Sequence, residues 1–323
     1  MAATEDYYSL EKTIQAYKQE IDELSLSGDA SQQGRIAELR HHIENEWDRL
    51  LPLLSATHIV QIARHPKRPY TLDYLNALVQ DFIELHGDRR FAEDPAMVCG
   101  LGFYRGRTAC FIGHQKGRST RDRLFRNFGQ PNPEGYRKAL RVMRLAEKFG
   151  FPIVSLVDTQ GAYPGIGAEE RGQAEAIAYN MREMVKLRVP IVVVVIGEGG
   201  SGGALAIAVG NRVMMLQNSF YSVISPEGCA AILWKDQSAG QQAAVQKAAE
   251  NLKIRAADLL ELGVIDSIIP EPAGGAHIDP DQTFKTVDTA LSQTLEELGR
   301  MSLDELLEAR YQKFRKMGVF VES

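Results

Sequence analysis

Cysteine is scarce in this 323-residue sequence, and the few cysteines that occur are widely separated. Cys99, Cys110 and Cys229 include no C-x-x-C pair. Their spacing argues against a disulfide framework and against a zinc ribbon within the chain. No other set of histidine, cysteine and acidic residues has metal-ligand spacing, so we assign no metal to the chain. Isolated cysteines are typical of a reducing compartment, and we expect a cytoplasmic protein.

Long apolar runs and a strong excess of one charge are also missing. The N-terminus shows no apolar signal region, and the longest apolar run is too short to span a bilayer, so we expect neither secretion nor a membrane span. The net charge of −5 is mild and gives no case for nucleic acid as the main partner. The hydrophobic content of 44% is ordinary for a globular protein and suffices for a substantial core.

The most informative stretch is a β-branched run that leads into five glycines. Residues 189–196 are typical of a strand buried on both faces. The glycines lie within residues 197–203, and the small apolar residues 204–208 then predict a buried helix. We expect Gly202 and Gly203 to present peptide N–H groups at the helix start, where the macrodipole also favours negative charge. Such a site suits an anion or a developing oxyanion.

Three interpretations of this glycine stretch stay open on the residues alone. In the first, the glycines only permit close packing in a tight strand-to-helix turn. In the second, the G-x-S-x-G spacing around Ser201 marks a nucleophile elbow, and Asp258 or Asp266 with His277 completes the order found in hydrolases. In the third, backbone N–H groups form an oxyanion hole without a nucleophile.

The rest of the chain divides into an arm, an α/β region and a tail. Residues 1–63 carry two amphipathic helices joined by a polar loop, and we favour a subunit-contact arm over packing within the chain. Residues 64–298 begin with a predicted helix at 71–87 and a β-hairpin at 98–114. They then alternate strand with helix, which implies parallel strands. Residues 299–323 predict a helical tail.

Two further segments are candidates for ligand contact. A second irregular loop, residues 159–167, follows the buried strand at 152–158, and loops after neighbouring parallel strands lie side by side. Residues 116–126 form the most basic segment, which starts with Lys116 and Arg118. This segment suits phosphate groups or an acidic partner surface, and a solvated charged face is the alternative.

Seven blocks of the sequence resemble the carboxyltransferase alpha-subunit family of bacterial-type, multi-subunit acetyl-CoA carboxylase. The blocks lie at residues 64–74, 113–118, 133–139, 158–173, 197–205, 221–229 and 265–277. They span most of the chain after the N-terminal arm, in order. One departure is visible at Gln160, where the family usually has proline.

The resemblance implies a fold, a reaction and a set of partners. It implies a crotonase (ClpP-like) fold, in which ββα units wind into a superhelix between the N-terminal helical hairpin and the C-terminal helices. The implied reaction moves a carboxyl group from carboxybiotin, held on a biotin carboxyl carrier protein, to acetyl-CoA, which gives malonyl-CoA for fatty acid biosynthesis. The implied partners are a zinc-ribbon beta subunit, in an α2β2 heterotetramer, and a biotin carboxylase that uses ATP.

The resemblance also implies site residues in this chain. It implies that Gly202 and Gly203 form a backbone oxyanion hole for the ureido oxygen of biotin. Candidates for substrate binding are Gly161, Ala162, Tyr163, Gly165, Gly200, Lys116 and Arg118. A serine esterase that uses Ser201 becomes the alternative function.

Overall fold

The computed structural model describes residues 7–27, 30–234 and 240–318. The ends of the predicted arm and tail, residues 1–6 and 319–323, lie outside the described residues. Within the described ranges, none of the helices combines the length and the apolar character that a bilayer crossing requires.

One sheet of eight strands runs through the described part of the chain. The strands are β1 (Gln80–Glu84), β2 (Met97–Tyr104), β3 (Arg107–His114), β4 (Ile153–Thr159), β5 (Ile191–Gly200), β6 (Arg212–Leu216), β7 (Phe220–Ser222) and β8 (Ser267–Ile269). Their order in space is β1-β2-β3-β4-β5-β6-β8, and β7 pairs with the end of β5. Strands β1 to β3 are antiparallel, and the later pairs are parallel, as the strand–helix alternation predicts.

Helices cover both faces of this sheet. They are α1 (Tyr7–Ser27), α2 (Gln33–Leu50), α3 (Ala56–Ala63), α4 (Thr71–Leu78), α5 (Thr120–Phe125), α6 (Pro133–Phe149), α7 (Ile166–Glu170), α8 (Gln173–Met184), α9 (Ser201–Leu205), α10 (Pro226–Leu233), α11 (Gln241–Asn251), α12 (Ala256–Glu261), α13 (Pro280–Gly299) and α14 (Leu303–Arg315). Helices α6 and α8 pack on one face and contribute Tyr136 and Met184 to its core. Helices α4 and α13 cover the other face with Tyr74 and Leu291.

Strand β5 is buried on both faces, as its β-branched sequence predicts. Val193 and Val195 belong to the core under α6 and α8, whereas Val192 and Val194 belong to the opposite core. This division follows from the alternation of side chains along a strand. Burial of one valine contributes about 1.5–3 kcal/mol relative to exposure. The buried valines of β5 therefore hold the strand in place and position the glycine stretch that follows them.

The predicted N-terminal hairpin is formed by α1 and α2, and its base packs within the chain. Tyr7, Ile14 and Trp47 are buried in one small core together with Ile62 of α3. The Trp47 ring occupies the space that a Cβ on Gly274 would need. Contact between the rest of the arm and another subunit stays a prediction.

The predicted helix over residues 71–87 is wrong in its second half, which is strand β1. Glycines in β2 explain the difference, because they leave space above the sheet. A Cβ on Gly100 would lie 2.6 Å from the Phe82 ring, and one on Gly102 would overlap Val79. The apolar residues of β1 and the residue before it therefore lie against a strand instead of continuing a helix.

Candidate functional site

Two backbone segments meet at the C-terminal ends of β4 and β5. A Cβ on Gly200 would overlap the Gln160 carbonyl and lie 2.9 Å from Gly161 N. A Cβ on Gly203 would overlap Ala162 N and lie 2.9 Å from Gly161 Cα. Both positions need glycine because the neighbour is main chain, which cannot move aside as a flexible side chain can. The predicted contact between the two segments is confirmed.

The glycine stretch is divided between the end of strand β5 and the start of helix α9. Residues 197–200 are the end of β5, and Glu198 pairs with Phe220 of β7. Helix α9 begins at Ser201, so Gly202 and Gly203 are its second and third residues. The first N–H groups of a helix have no partner within it, so both peptide N–H groups are available at the helix start.

Solvent exposure decreases from Ser201 to Gly203. Ser201 is exposed, Gly202 is half-buried and Gly203 is buried. The backbone of Ser201 has φ of +51°, which L-residues rarely adopt. A Cβ on Gly202 would meet Ile177 at an ordinary 3.5 Å, so this position has side-chain space that Gly203 lacks.

A buried ionic cluster lies at the ends of the same strands. Lys116 Nζ is 2.7 Å from Asp158 Oδ1 and 3.3 Å from Glu198 Oε2. Arg64 Nη2 lies 2.6 Å from the other oxygen of Glu198, and Arg64 also pairs with Glu227. The Glu198 amide donates to Asp158 Oδ1 at 2.9 Å. Lys116 thus joins two carboxylates near the C-terminal ends of β4 and β5. We define Arg64, Lys116, Asp158 and Glu198 as the charge cluster.

In the charge cluster, burial and ion pairing shift the pKa values of Glu198 and Lys116 in opposite directions. Burial works to raise the pKa of Glu198, but the charges of Lys116 and Arg64 outweigh it and hold that pKa below its ordinary value. Burial works to lower the pKa of Lys116, but Asp158 and Glu198 outweigh it and raise that pKa. Glu198 and Lys116 are therefore held in their charged forms.

His114, the last residue of β3, is buried beside this cluster. Its Nδ1 accepts a hydrogen bond from the Asp158 amide at 3.3 Å. Burial lowers the pKa of His114 to about 3, and the backbone of Gly203 partly opposes that shift. The ring is therefore neutral at physiological pH.

A cleft of about 180 Å³ opens next to the charge cluster. Its lining is formed by Ala63, Arg64, Tyr70, Lys116, Gly117, Arg123, Phe128, Gln160 and Glu198. Gln160, the departure from the family pattern, thus lies in the cleft wall, and its carbonyl contacts Gly200. Gly202 and Gly203 are not among the lining residues.

The candidate substrate-binding residues fall into different surroundings. Arg118 is exposed, pairs with Asp73 at 2.7 Å and stacks on the Tyr70 ring. The Tyr163 ring covers Gly165, where a Cβ would overlap it, and the Tyr163 amide donates to Pro131 O at 3.0 Å. Lys116 has its ammonium group paired with two carboxylates, and direct contact between Lys116 and substrate stays a prediction.

The residues proposed for a serine hydrolase have other partners. Asp258 pairs with Arg255, and the carboxylate of Asp266 accepts from the Val213 amide. His277 Nε2 lies 3.2 Å from a Glu11 oxygen in the core of the arm. The contacts shown for both aspartates and for the histidine are thus with residues other than Ser201.

Glu11, His65 and His277 bring their ligand atoms within 4.8 Å of one another, although they are far apart in sequence. The two imidazole rings are stacked with centroids 3.8 Å apart, and burial lowers the pKa of His65 to about 4. Imidazole lone pairs lie in the ring plane, so stacked rings do not direct both nitrogens at one ion. We interpret the three residues as the polar anchor of the arm.

Sequence reasoning missed the charge cluster and the burial of His114 beside it. Arg64 and Glu198 are 134 residues apart, and Lys116 and Asp158 are 42 apart, so local spacing could not pair them. One signal was present. Glu198 interrupts a glycine run directly after a buried strand, a position where an acidic side chain needs a partner.

The comparison with known sequences gives one consistent family. A family model described as acetyl co-enzyme A carboxylase carboxyltransferase-like matches residues 7–318. The acetyl-coenzyme A carboxylase carboxyl transferase subunit alpha of Geobacter metallireducens is 54% identical over 322 residues, which cover 99% of this chain and 100% of that protein. The subunit of the same name from a strain of Thermus thermophilus is 58% identical over 263 residues, which cover 81% and 83%.

Solved structures share the fold at low sequence identity. Transcarboxylase 12S, determined with methylmalonyl-coenzyme A and methylmalonic acid bound, matches with a TM-score of 0.57 and 20% identity. The match covers 74% of this chain and 44% of that chain, so this chain spans less than half of its length. The likeness confirms the expected crotonase-like carboxyltransferase fold.

Proposed function

We infer the function from the family, because the chain belongs to the carboxyltransferase alpha subunits of acetyl-CoA carboxylase. It is the alpha subunit of a biotin-dependent carboxyltransferase that converts acetyl-CoA to malonyl-CoA for fatty acid biosynthesis. The single observation that carries this conclusion is the match of nearly the whole chain to named alpha subunits, at more than half of all positions. The serine esterase alternative receives no support from the relatives.

The reaction needs stabilisation of negative charge on biotin. The bond between the ureido nitrogen and the carboxyl carbon breaks, while that carbon bonds to the methyl carbon of acetyl-CoA. The methyl group loses a proton, which the ureido nitrogen takes up. Charge develops on the ureido oxygen as the carboxyl group leaves, and on the thioester oxygen as the enolate forms. Fixed backbone donors suit such transient charge, because they need no reorganisation during the reaction.

In this chain, the donors to the ureido oxygen would be the N–H groups of Gly202 and Gly203. We name residues 200–203 the oxyanion turn. Helix geometry leaves these N–H groups without an intrahelical partner, and the tight contact of Gly203 with the Gly161–Ala162 peptide fixes them. Gly161, Ala162 and Gly200 would act through this contact. Tyr163 and Gly165 would border the biotin ring.

The finer assignment of partners follows from the resemblance of the sequence to the family. The name of the relatives, subunit alpha, implies a beta subunit as partner. We propose that the beta subunit carries the zinc ribbon and most of the CoA pocket in an α2β2 assembly. Biotin would arrive on its carrier protein, and ATP would be used by the biotin carboxylase. Exposed Arg118 is the candidate for contact with CoA phosphates or with the carrier. The cytoplasm is the expected compartment.

Reconstitution tests the proposed function. The chain is co-expressed with a zinc-ribbon beta subunit, and biotin-dependent decarboxylation of malonyl-CoA, the reverse half-reaction, is measured. We expect turnover by the complex and none by either chain alone, because each holds part of the site. An assembled complex without biotin-dependent turnover would contradict the assignment.

Replacement of Ser201 by alanine separates the carboxyltransferase from the esterase. We expect the S201A complex to keep most of its activity, since backbone groups and not the hydroxyl contact the reacting oxygen. Alanine retains a side chain at φ of +51°, so the backbone strain is unchanged. Loss of several orders of magnitude, together with labelling of the wild type by a serine-directed phosphonate, would support the hydrolase instead.

A further inference from the structure

Two consecutive residues beside the cleft have a left-handed backbone. Asn127 has φ of +47° and Phe128 has φ of +55°, and Gly129 follows with φ of +75°. Asparagine and glycine tolerate this region, but a bulky side chain such as that of phenylalanine rarely adopts it. We name residues 126–130 the Phe128 turn. Backbone strain of this kind persists only where the surrounding contacts impose it.

Contacts around the Phe128 turn impose this backbone. Asn127 Nδ2 donates to Asp94 Oδ1 at 3.4 Å, and the Gly129 amide donates to the Arg126 carbonyl at 2.8 Å. A Cβ on Gly129 would lie 2.6 Å from Lys116 Cγ, so the turn rests against a side chain of the charge cluster. The position of the turn is therefore fixed by the protein itself.

Phe128 gains only partial burial in return for its strained backbone. It is 46% exposed and lines the cleft. Tyr70, the other aromatic residue of the lining, is buried, and the Arg118 guanidinium stacks on its ring. A phenylalanine that served the core would be buried in the same way. Phe128 is therefore the aromatic ring that the cleft offers to a ligand.

The surroundings of Phe128 indicate the kind of ligand. Five lining residues have charged or amide side chains, namely Arg64, Lys116, Arg123, Gln160 and Glu198. The ring system of biotin likewise combines hydrocarbon and thioether surface with a polar ureido edge. Hydrocarbon and thioether sulfur both pack favourably on aromatic rings. The Gln160 carbonyl lies against Gly200, so the cleft adjoins the oxyanion turn.

We propose that Phe128 is a substrate-contacting residue, whose ring packs against the ring system of biotin while the oxyanion turn binds the ureido oxygen. The inference rests on the proposed function and adds a biotin contact outside the two glycine-rich segments. The Phe128 turn holds the ring in place in advance, so binding does not have to order it.

Fluorescence of the complex with the beta subunit reads this contact without turnover. Phe128→Trp places an indole at the cleft. Phe125→Trp is the matched control, because Phe125 is 61% exposed on α5 and is not among the lining residues. We expect free biotin to change the emission of F128W saturably and to leave that of F125W unchanged. No change in F128W, or an equal change in both variants, would overturn the proposal.

Kinetics of the same complex provide the second arm. We expect Phe128→Ala to raise KM for biotin about tenfold while kcat and KM for malonyl-CoA stay unchanged, and Phe128→Tyr, which keeps the ring, to match the wild type. Phe128→Gly also removes the ring but adopts the left-handed backbone without strain, so an equal rise in KM assigns the effect to the ring and not to folding. Phe125→Ala should leave KM unchanged.

The kinetic outcomes separate this inference from the proposed function. An active wild type with an unchanged KM for biotin in F128A and F128G would overturn the contact. A rise in KM for malonyl-CoA in place of biotin would overturn it as well. An inactive wild-type complex would instead refute the proposed function.

Discussion

Gly203→Ala lowers the rate of carboxyl transfer by about 100-fold or more, while the complex stays assembled. The added Cβ would overlap the Ala162 amide and approach Gly161 Cα, so the two backbone segments must separate. Their separation moves the N–H groups of the oxyanion turn away from the ureido oxygen. Loss of one oxyanion donor typically costs about 100–1000-fold in rate. The rate is measured as kcat for biotin-dependent malonyl-CoA decarboxylation, with assembly followed by gel filtration.

Gly202→Ala is the matched control for this variant. Its Cβ meets Ile177 at 3.5 Å, an ordinary contact, and its peptide N–H is retained. We expect G202A to keep most of the activity, although it lies one residue from Gly203. Equal activity in both variants would show that the fit of the oxyanion turn is irrelevant to the reaction, and equal loss would point to general damage.

Lys116→Met destabilises the chain by about 3–5 kcal/mol, the cost of leaving a buried ion pair with one partner missing. Methionine keeps the length of the side chain but leaves Asp158 and Glu198 without the ammonium group that joins them. Both carboxylates are almost completely buried, with side chains 1% and 2% exposed, so each depends on protein partners more than on water. The free energy of unfolding is measured with urea.

The pH dependence of this loss has a defined sign. In the wild type, the lowered pKa of Glu198 contributes stability above its ordinary value of 4.5 and loses it as the pH falls through the folded pKa. The raised pKa of Lys116 contributes stability below 10.5 and loses it as the pH rises further. In K116M, Glu198 keeps the cost of burial without the charge of Lys116, so its protonation becomes easier. The destabilisation should therefore shrink from pH 8 to pH 5.

Arg118→Met removes a neighbouring cation and serves as the control. Arg118 is 48% exposed and pairs with Asp73, so its loss should change the free energy of unfolding by at most about 1 kcal/mol. A destabilisation by K116M that matches R118M, or that does not vary with pH, would contradict the structural role of Lys116.

The sequence predicts the parts of the site that depend on local pattern. The β-branched run of β5 specifies a buried strand, and the glycines after it indicate close backbone approach. Parallel strand order then places residues 159–167 beside residues 197–203, and the contacts of Gly200 and Gly203 confirm this arrangement. These features need only periodicity, glycine conformation and sheet topology.

Other features depend on residues that are distant in the sequence. The split of residues 71–87 into α4 and β1 depends on glycines in another strand, Gly100 and Gly102. The pairing of Arg64 with Glu198 joins the chain before the sheet to its central strand. In the sequence, Lys116 belongs to a basic segment that could be a solvated surface. In the structure, it is paired with two buried carboxylates. Such partners follow from tertiary structure and not from local composition.

The role of the oxyanion turn is tested most directly by changing the oxygen that it is proposed to bind. Biotin is compared with its thione analogue, in which sulfur, a weaker hydrogen-bond acceptor, replaces the ureido oxygen. The turnover ratio between the two is measured for the wild-type complex and for G203A, as a double-mutant cycle across the hydrogen bond. We predict a large ratio in the wild type that falls towards one in G203A. The same ratio in both complexes would show that this turn does not contact the ureido oxygen.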